Sequence, residues 1–275
     1  PVNSRTSGFL DADDQHRLIR RILKELNLDE DYWPSRQIQW FINHHKEEGR
    51  RPAQLKDSDD AQQQTMIRVY VHYEQMCQRF GLVDFAELLL RAFELMQNNE
   101  SLRESYRERF RHILVDEFQD TNAVQYDLVR LLSRDVNNVC VVGDDDQSIY
   151  RWRGANIENI LKFEKDYPGT TVIKLEENYR STQNILSAAG NVVRENLNRN
   201  EKTLWTQNEK GDPIVCHKAE DETSEAAFVC DRIQNLCRKE GDSFNEIAIL
   251  YRTNAQSRVM EDMLRRAEIP YQIIG

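Results

Sequence analysis

Ten glycines are spread over 275 residues, and none of them is followed by a lysine. The chain therefore holds no Gly-x-x-x-x-Gly-Lys-Ser/Thr loop, and the backbone cradle and lysine that such a loop offers to phosphates are missing from these residues. Cysteine is scarce: Cys77, Cys140, Cys216, Cys230 and Cys237 include no Cys-x-x-Cys pair, and His44-His45 is the one adjacent couple among six histidines. Zinc has no foothold in that pattern, and buried free thiols in a reducing compartment are expected rather than disulfides. No apolar run reaches transmembrane length and no charged-then-apolar segment opens the chain, so a cytoplasmic protein is expected. Positive charge is short as well, with 37 Lys and Arg against 47 Asp and Glu and a formal net charge of −10. That balance argues against a general basic coat for nucleic acid and confines any such contact to local patches and stacking.

What is present describes an ordinary globular chain, 39% apolar and 31% charged, long enough for about two domains. Residues 11 to about 110 read as helices. Leu18, Ile19, Ile22, Leu23 and Leu26 share one face, Trp33-Pro34 marks a turn, and Ile38, Phe41 and Ile42 recur after it. A polar link from Gly49 to Asp60 follows. Met66, Val69, Tyr70, Tyr73, Met76 and Cys77 form another stripe, and Phe85, Leu88, Leu89, Ala92, Phe93 and Leu95 a further one; these are expected to be core. Lys46, Arg50 and Arg51 read as basic surface residues of a solvated loop, or as contacts to duplex DNA.

From residue 111 the pattern changes to short β runs alternating with helices: strands 111–115, 138–142 and 171–175, helices 122–133, 155–165 and 182–196. After the turn at Gly211-Asp212-Pro213 it resumes with a strand 214–217, a helix 222–239, a strand 247–250 and a helix 254–267. Such alternation argues a parallel α/β sheet with right-handed crossovers, and a boundary between two lobes near 176–182.

The chemistry-bearing residues cluster where these runs end. Leu114-Val115 leads directly into Asp116-Glu117, and a buried parallel strand delivers such acids to its carboxyl end, where open α/β sheets bind ligands. An Asp in that place can hold Mg²⁺ and a neighbouring Glu can orient an attacking water; the plainer alternative is a strand running into a solvated turn. The second run ends in Gly143-Asp144-Asp145-Asp146-Gln147-Ser148-Ile149-Tyr150-Arg151-Trp152-Arg153-Gly154-Ala155. Aromatic faces interleaved with guanidinium groups suit single-stranded nucleic acid, because bases stack on rings and phosphates pair with cations. Tyr150 and Trp152 as core aromatics are the alternative. The third run leads into Glu176-Glu177-Asn178-Tyr179-Arg180-Ser181-Thr182, where Arg180 suits a clamp on a transferring phosphoryl group and Ser181-Thr182 suits a helix cap.

Asp116-Glu117-Phe118-Gln119-Asp120 resembles motif II of the UvrD/Rep-like superfamily 1 DNA helicases, Gly143 to Ala155 resembles motif III, and Leu175 to Thr182 resembles motif IV, in the family's order. Gly81 to Leu89 and Ile249 to Arg258 are phrases similar to that family as well. The resemblance implies an α/β fold of RecA-like parallel-sheet motor lobes, the P-loop NTPase helicase fold in incomplete form, with an inserted all-helical accessory domain. It implies an accessory domain over 1–108, part of a first motor domain over 109–176 with motifs II and III, and the start of a second over 177–275 from motif IV onward. It further implies ATP and Mg²⁺ as cofactors, single-stranded DNA and single/double-strand junctions as partners, and 3′ to 5′ translocation. By resemblance Asp116 would bind Mg²⁺, Glu117 would act as general base, Gln147 would report the γ-phosphate, Arg180 would stabilise developing charge and Tyr179 would stack on adenine. Tyr150 and Trp152 would stack on bases, with Arg153 nearby on backbone or base.

The absent phosphate loop is the departure from that pattern. Family members carry it before the equivalent of Pro1 and carry further motifs beyond the equivalent of Gly275, so the chain is expected to be an internal excerpt that is inactive alone. Two other readings stay open. One is a noncatalytic nucleic-acid- or protein-binding module, which the missing lysine favours for a complete gene product; the other is the motor part of a helicase-nuclease subunit.

Overall fold

A computed structural model of the chain describes residues 8–55, 60–133, 138–196 and 199–274, including the side chains of all of these but Arg153, Lys239 and Glu240. Its contacts divide the chain into two compact units, one of Pro1–Ser181 with Leu186–Gln207 and one of Thr182–Ile185 with Asn208–Gly275.

In the first unit, strand β1 (Gly8–Leu10) leads into helices α1 (Ala12–Glu25), α2 (Ser35–Glu47) and α3 (Ala61–Phe80), then strand β2 (Leu82–Asp84) and helices α4 (Phe85–Asn98) and α5 (Glu100–Arg109). Asp11, Asp60, Asp84 and Asn99 open α1, α3, α4 and α5, each side chain accepting a hydrogen bond from a backbone N–H of the first turn. Ile19, Ile22, Leu23, Ile38, Phe41, Ile42, Val69, Tyr70, Tyr73 and Cys77 make one core, with Leu18, Leu26, Met66 and Met76 packed against it. The stripes expected on α1, α2 and α3 are therefore the packed ones.

Three expectations for this part change. The stretch read as all-helical carries a parallel ladder, Gly8 to Leu82 through Leu10 to Asp84. A three-residue strand is too short to show a period of two, and Gly8 leaves room for Leu82, whose Cδ2 would lie 2.8 Å from a Cβ there. On α4 the expected apolar stripe is not the buried face: Phe85, Leu88 and Leu95 are exposed, while Glu87 and Leu90 are buried. Charge explains the rotation. Lys46 is 1% exposed and pairs with Asp84 at 2.7 Å and Glu87 at 3.0 Å. Arg51 reaches Glu74 at 2.7 Å, Glu87 at 2.8 Å and both oxygens of Glu94 at 2.7 Å. Two cations from α2 and the link after it thus draw the Glu87 face of α4 inward, because a buried charge is tolerated only when paired. Lys46 is accordingly buried and Arg51 half-buried, both committed to carboxylates, and Arg50, the exposed one, pairs with Glu48.

The same unit continues through strand β3 (Ile113–Val115), helix α6 (Ala123–Ser133), strand β4 (Val139–Val141), helix α7 (Glu158–Asp166) and helix α8 (Gln183–Val193), which crosses from one unit to the other. β3 and β4 pair in parallel, Ile113 with Val139 and Val115 with Val141. Phe118, Tyr126 and Phe163 form the core beneath them, with Val115, Val139, Val141 and Ile160 packed against it. The second unit is built on helices α9 (Glu222–Asn235) and α10 (Ser257–Arg266), whose core is Cys230, Ile233, Leu264 and Ile269.

The strands expected at 171–175, 214–217 and 247–250 form no ladder among the described residues; a single bridge joins Glu177 to Trp205. These runs have strand composition but no neighbour to pair with, and Ile173, Leu175, Val215 and Leu250 stand 76%, 77%, 70% and 93% exposed. The fold is thus mixed helix and parallel sheet, with its sheets small. The thiols also differ from expectation: all five are free, but Cys140 and Cys216 are exposed.

Candidate active site

β3 ends at Val115 and hands the chain to Asp116 and Glu117, both exposed. Glu117 turns the chain with φ 49° and ψ 43°, the left-handed region that costs a side-chain-bearing residue about 1–3 kcal/mol and persists where its surroundings hold it. The hold is visible. Glu117 N–H donates to Asp116 Oδ1 at 2.9 Å, Phe118 N–H donates to Val142 O at 3.0 Å, and Phe118 is fully buried. Asn122 and Gln125 cap α6 reciprocally, each side-chain oxygen accepting the other's backbone N–H at 2.9 Å. Val115, Asp116, Glu117, Asp120, Thr121 and Gln125, with Leu128 and Val129, line a depression of about 410 Å³. In it, burial and then the neighbouring Glu117 carboxylate raise Asp120 above its ordinary value, and its Oδ1 has no hydrogen-bond partner among the described residues.

The side chain of Gln119 ties the turn after β4 to this site. Gln119, 1% exposed, donates from Nε2 to Glu117 Oε2 at 2.7 Å and accepts at Oε1 from Asp144 N–H at 3.0 Å. Gly143 makes room for it, since a Cβ there would lie 2.6 Å from Gln119 Oε1 and 3.0 Å from Ile160 Cδ1. Asp144 caps a single helical turn, Asp145–Gln147, and accepts from Gln147 Nε2 at 2.7 Å. Gln147 is therefore exposed but folded back onto Asp144.

Asp144, Asp145 and Asp146 bring their carboxylates within 4.8 Å of one another, a spacing that could suggest a cation. A cation of the chain already sits there: Lys202 Nζ bonds Asp144, lies 3.0 Å from Asp145 Oδ1 and 3.3 Å from Asp146 Oδ2, and Arg199 reaches Asp146 at 2.8 Å. Burial opposes the charge on Asp144, but hydrogen bonds from Lys202 and Gln147 outweigh it and hold the carboxyl below its usual range. The trio is an internal ion-pair cluster, and the hard-cation candidate is Asp116, whose exposed carboxylate is bonded by Glu117 N–H alone among the described residues.

Beyond Gln147, Tyr150 and the exposed Trp152 stand with ring centroids 6.3 Å apart, and a helical turn Arg151–Arg153 carries the tryptophan. Trp152 at 65% exposure is not a core aromatic. Gly154 closes that turn at φ +80°, where a Cβ would also strike the Glu47 carboxylate. The side chain of Arg153 lies outside the described residues. Tyr179 and Arg180 are exposed on another turn; Tyr179 donates its hydroxyl to Glu177 Oε2 at 2.8 Å, and neither residue lines the depression beside Asp116. Site features that sequence reasoning missed are Gln119, Gly143, Lys202 and Arg199, together with Asn159, whose buried amide bonds Thr121 O at 3.0 Å and so anchors the Asp-Glu turn to α7. Gln119 stood in plain view within an acidic string. Lys202 lies 58 residues from Asp144, and no local pattern links them.

Two family descriptions cover this chain: the UvrD/REP helicase N-terminal domain matches residues 3–168, and the UvrD-like helicase C-terminal domain matches residues 173–275. The chain belongs to the UvrD/REP helicase family. The P-loop NTPase, RecA-like fold follows from that membership. Among curated UvrD-like relatives, DNA helicase II of Escherichia coli K12 is 52% identical over 267 residues, covering 97% of this chain and 37% of that protein. DNA helicase II of Haemophilus influenzae is 50% identical over 267 residues, covering 97% of this chain and 36% of that protein. The ATP-dependent DNA helicase PcrA of Bacillus subtilis is 44% identical over 273 residues, covering 99% and 37%. The chain thus spans a little over a third of the length of these UvrD-like relatives. No helix of the described residues is long and apolar enough to cross a membrane.

Proposed function

We propose that the protein containing this chain is an ATP-dependent DNA helicase that moves 3′ to 5′ on single-stranded DNA and opens single/double-strand junctions in the cytoplasm. Homologues named DNA helicase II and ATP-dependent DNA helicase PcrA support it. The observation that carries it is the Asp116-Glu117 turn at the end of β3, joined through Gln119 to the turn that presents Tyr150 and Trp152.

Asp116 would hold Mg²⁺, and its exposed carboxylate beside an open depression fits a cation that takes one or two carboxylates and shares the rest of its shell with phosphates and water. When bound, the ion would supply charge neutralisation on the transferring phosphoryl group. Glu117 is the general base: its Oε2 is fixed by Gln119, which leaves Oε1 to orient water. Gln147 would sense the γ-phosphate, and to do so its amide must leave Asp144. Arg180 would stabilise developing charge and Tyr179 would stack on adenine, both supported by their exposure. Trp152 and Tyr150 would stack on bases, with Arg153 on the strand beside them. The helices of the first hundred residues would act as the accessory domain, with motor domains over 109–176 and from 177 onward.

The test is ATP turnover and strand displacement by the whole protein on a 3′-tailed duplex, beside a Glu117→Gln control. DNA-stimulated turnover and unwinding that vanish in the control are expected. A whole protein that binds DNA without hydrolysing ATP would leave a binding module in its place.

A further inference from the structure

We infer that Gln119 is a positioning residue that couples the stacking turn to the general base, an inference that rests on the helicase reading above. Its side chain is fully buried between two functional turns and makes one bond to each, 2.7 Å to the Glu117 carboxylate and 3.0 Å to Asp144 N–H. Its orientation is chemically forced: a carboxylate only accepts and a backbone N–H only donates, so the amide nitrogen faces Glu117 and the amide oxygen faces Asp144. Asp144 is the hinge of the second turn. Its N–H holds Gln119, its carboxylate holds Gln147 at 2.7 Å, and three residues beyond Gln147 the chain reaches Tyr150. A displacement of that turn, such as a base arriving on Tyr150 or Trp152 would cause, moves the acceptor end of a rigid planar amide whose donor end sets Glu117 Oε2. Gly143 keeps this path short, since any side chain there would drive Gln119 Oε1 away.

A role in core packing alone is ill matched to these contacts. Gln119 could be replaced by an apolar residue of similar volume if it filled space only, whereas here both ends of its amide are used, and loss of either leaves a neighbouring polar group without its partner.

The experiment compares the whole protein with its Gln119→Leu, Gln119→Glu and Gly143→Ala variants, measuring ATP turnover with and without single-stranded oligonucleotide, and nucleotide affinity separately. Gln119→Leu removes both bonds; Gln119→Glu keeps an acceptor for Asp144 N–H but sets a second carboxylate against Glu117; Gly143→Ala disturbs the amide without touching Glu117. DNA-stimulated turnover is expected to fall about 10²-fold in Gln119→Leu, the scale of a misplaced reacting group, with the ratio of stimulated to unstimulated turnover falling towards one in Gln119→Leu and Gly143→Ala. In Gln119→Glu, which sets a second carboxylate against Glu117, turnover should fall both with and without DNA. Equal losses with and without DNA in Gln119→Leu and Gly143→Ala would reduce Gln119 to a structural residue and overturn the inference while leaving the helicase reading intact. A wild type whose turnover DNA does not stimulate would remove that reading and the inference with it.

Discussion

Glu117 combines a strained backbone with an exposed carboxylate fixed on one oxygen, and that combination separates two kinds of damage. Glu117→Gln keeps the shape of the turn and removes the proposed base, so ATP binding by the whole protein should stay near wild type while turnover falls by about 10²–10⁴-fold. Single-turnover kinetics with a separate nucleotide titration check it, and unchanged turnover would take Glu117 out of the catalytic role. Trp152 allows a second residue-level test. It is mostly exposed and far in character from the packed Phe118, so Trp152→Ala should weaken single-stranded DNA binding by about 1–3 kcal/mol, the range of one stacking aromatic. Fluorescence titration at matched salt decides this; equal affinities would make it a surface residue without a base.

At the scale of elements, the helices of the first hundred residues are held by charge as well as by apolar faces. Lys46 is buried between Asp84 and Glu87, and Tyr73 donates its hydroxyl to the same Asp84 oxygen at 2.7 Å. Lys46→Met would leave both carboxylates buried without that cation, and should lower the stability of this unit by about 3–5 kcal/mol in denaturant unfolding; a loss below about 1 kcal/mol would show that Arg51 suffices alone. The pH dependence has a definite sign. Burial alone would raise Glu87, yet Arg51 and Lys46 hold it at about 2, below its ordinary 4.5. Its pairing therefore contributes stability above pH 4.5 that is lost as pH falls from 4.5 towards 2, and Glu87→Gln should flatten the stability curve across that window. This network also explains where the sequence was readable. The stripes of α1 to α3 follow apolar periodicity and pack as their spacing indicates, and the Asp116-Glu117 and Gly143-to-Ala155 turns sit at the ends of β3 and β4 as their apolar runs indicate. The face of α4 was not readable, because Lys46 and Arg51 lie 41 and 36 residues from Glu87 and override the pattern of Phe85, Leu88 and Leu95. Gln119 escaped for a related reason: its second partner, Asp144, is 25 residues away.

For the whole 275-residue chain, the extended apolar runs are decisive. Leu175 and Leu250 are 77% and 93% exposed in segments that form no ladder among the described residues, and unpaired apolar strands template association. The isolated chain should sediment as species that grow with concentration, and Leu175→Lys with Leu250→Lys should reduce that growth; a monomer at all concentrations would count against the argument. Catalysis by the isolated chain follows a different logic. In their proposed roles Asp116 and Glu117 would act only on phosphates that something else holds, and the amides and lysine of a phosphate loop do not occur anywhere in these residues. Gln119 is buried, with one amide N–H on the Glu117 carboxylate and its oxygen on Asp144 N–H, so it stands in for no phosphate loop. The 275-residue chain supplied with Mg²⁺, ATP and single-stranded DNA should therefore show no turnover in a coupled assay, even though its site turns are formed. Turnover that disappeared in a Glu117→Gln control would mean that the depression beside Asp116 captures the phosphates unaided.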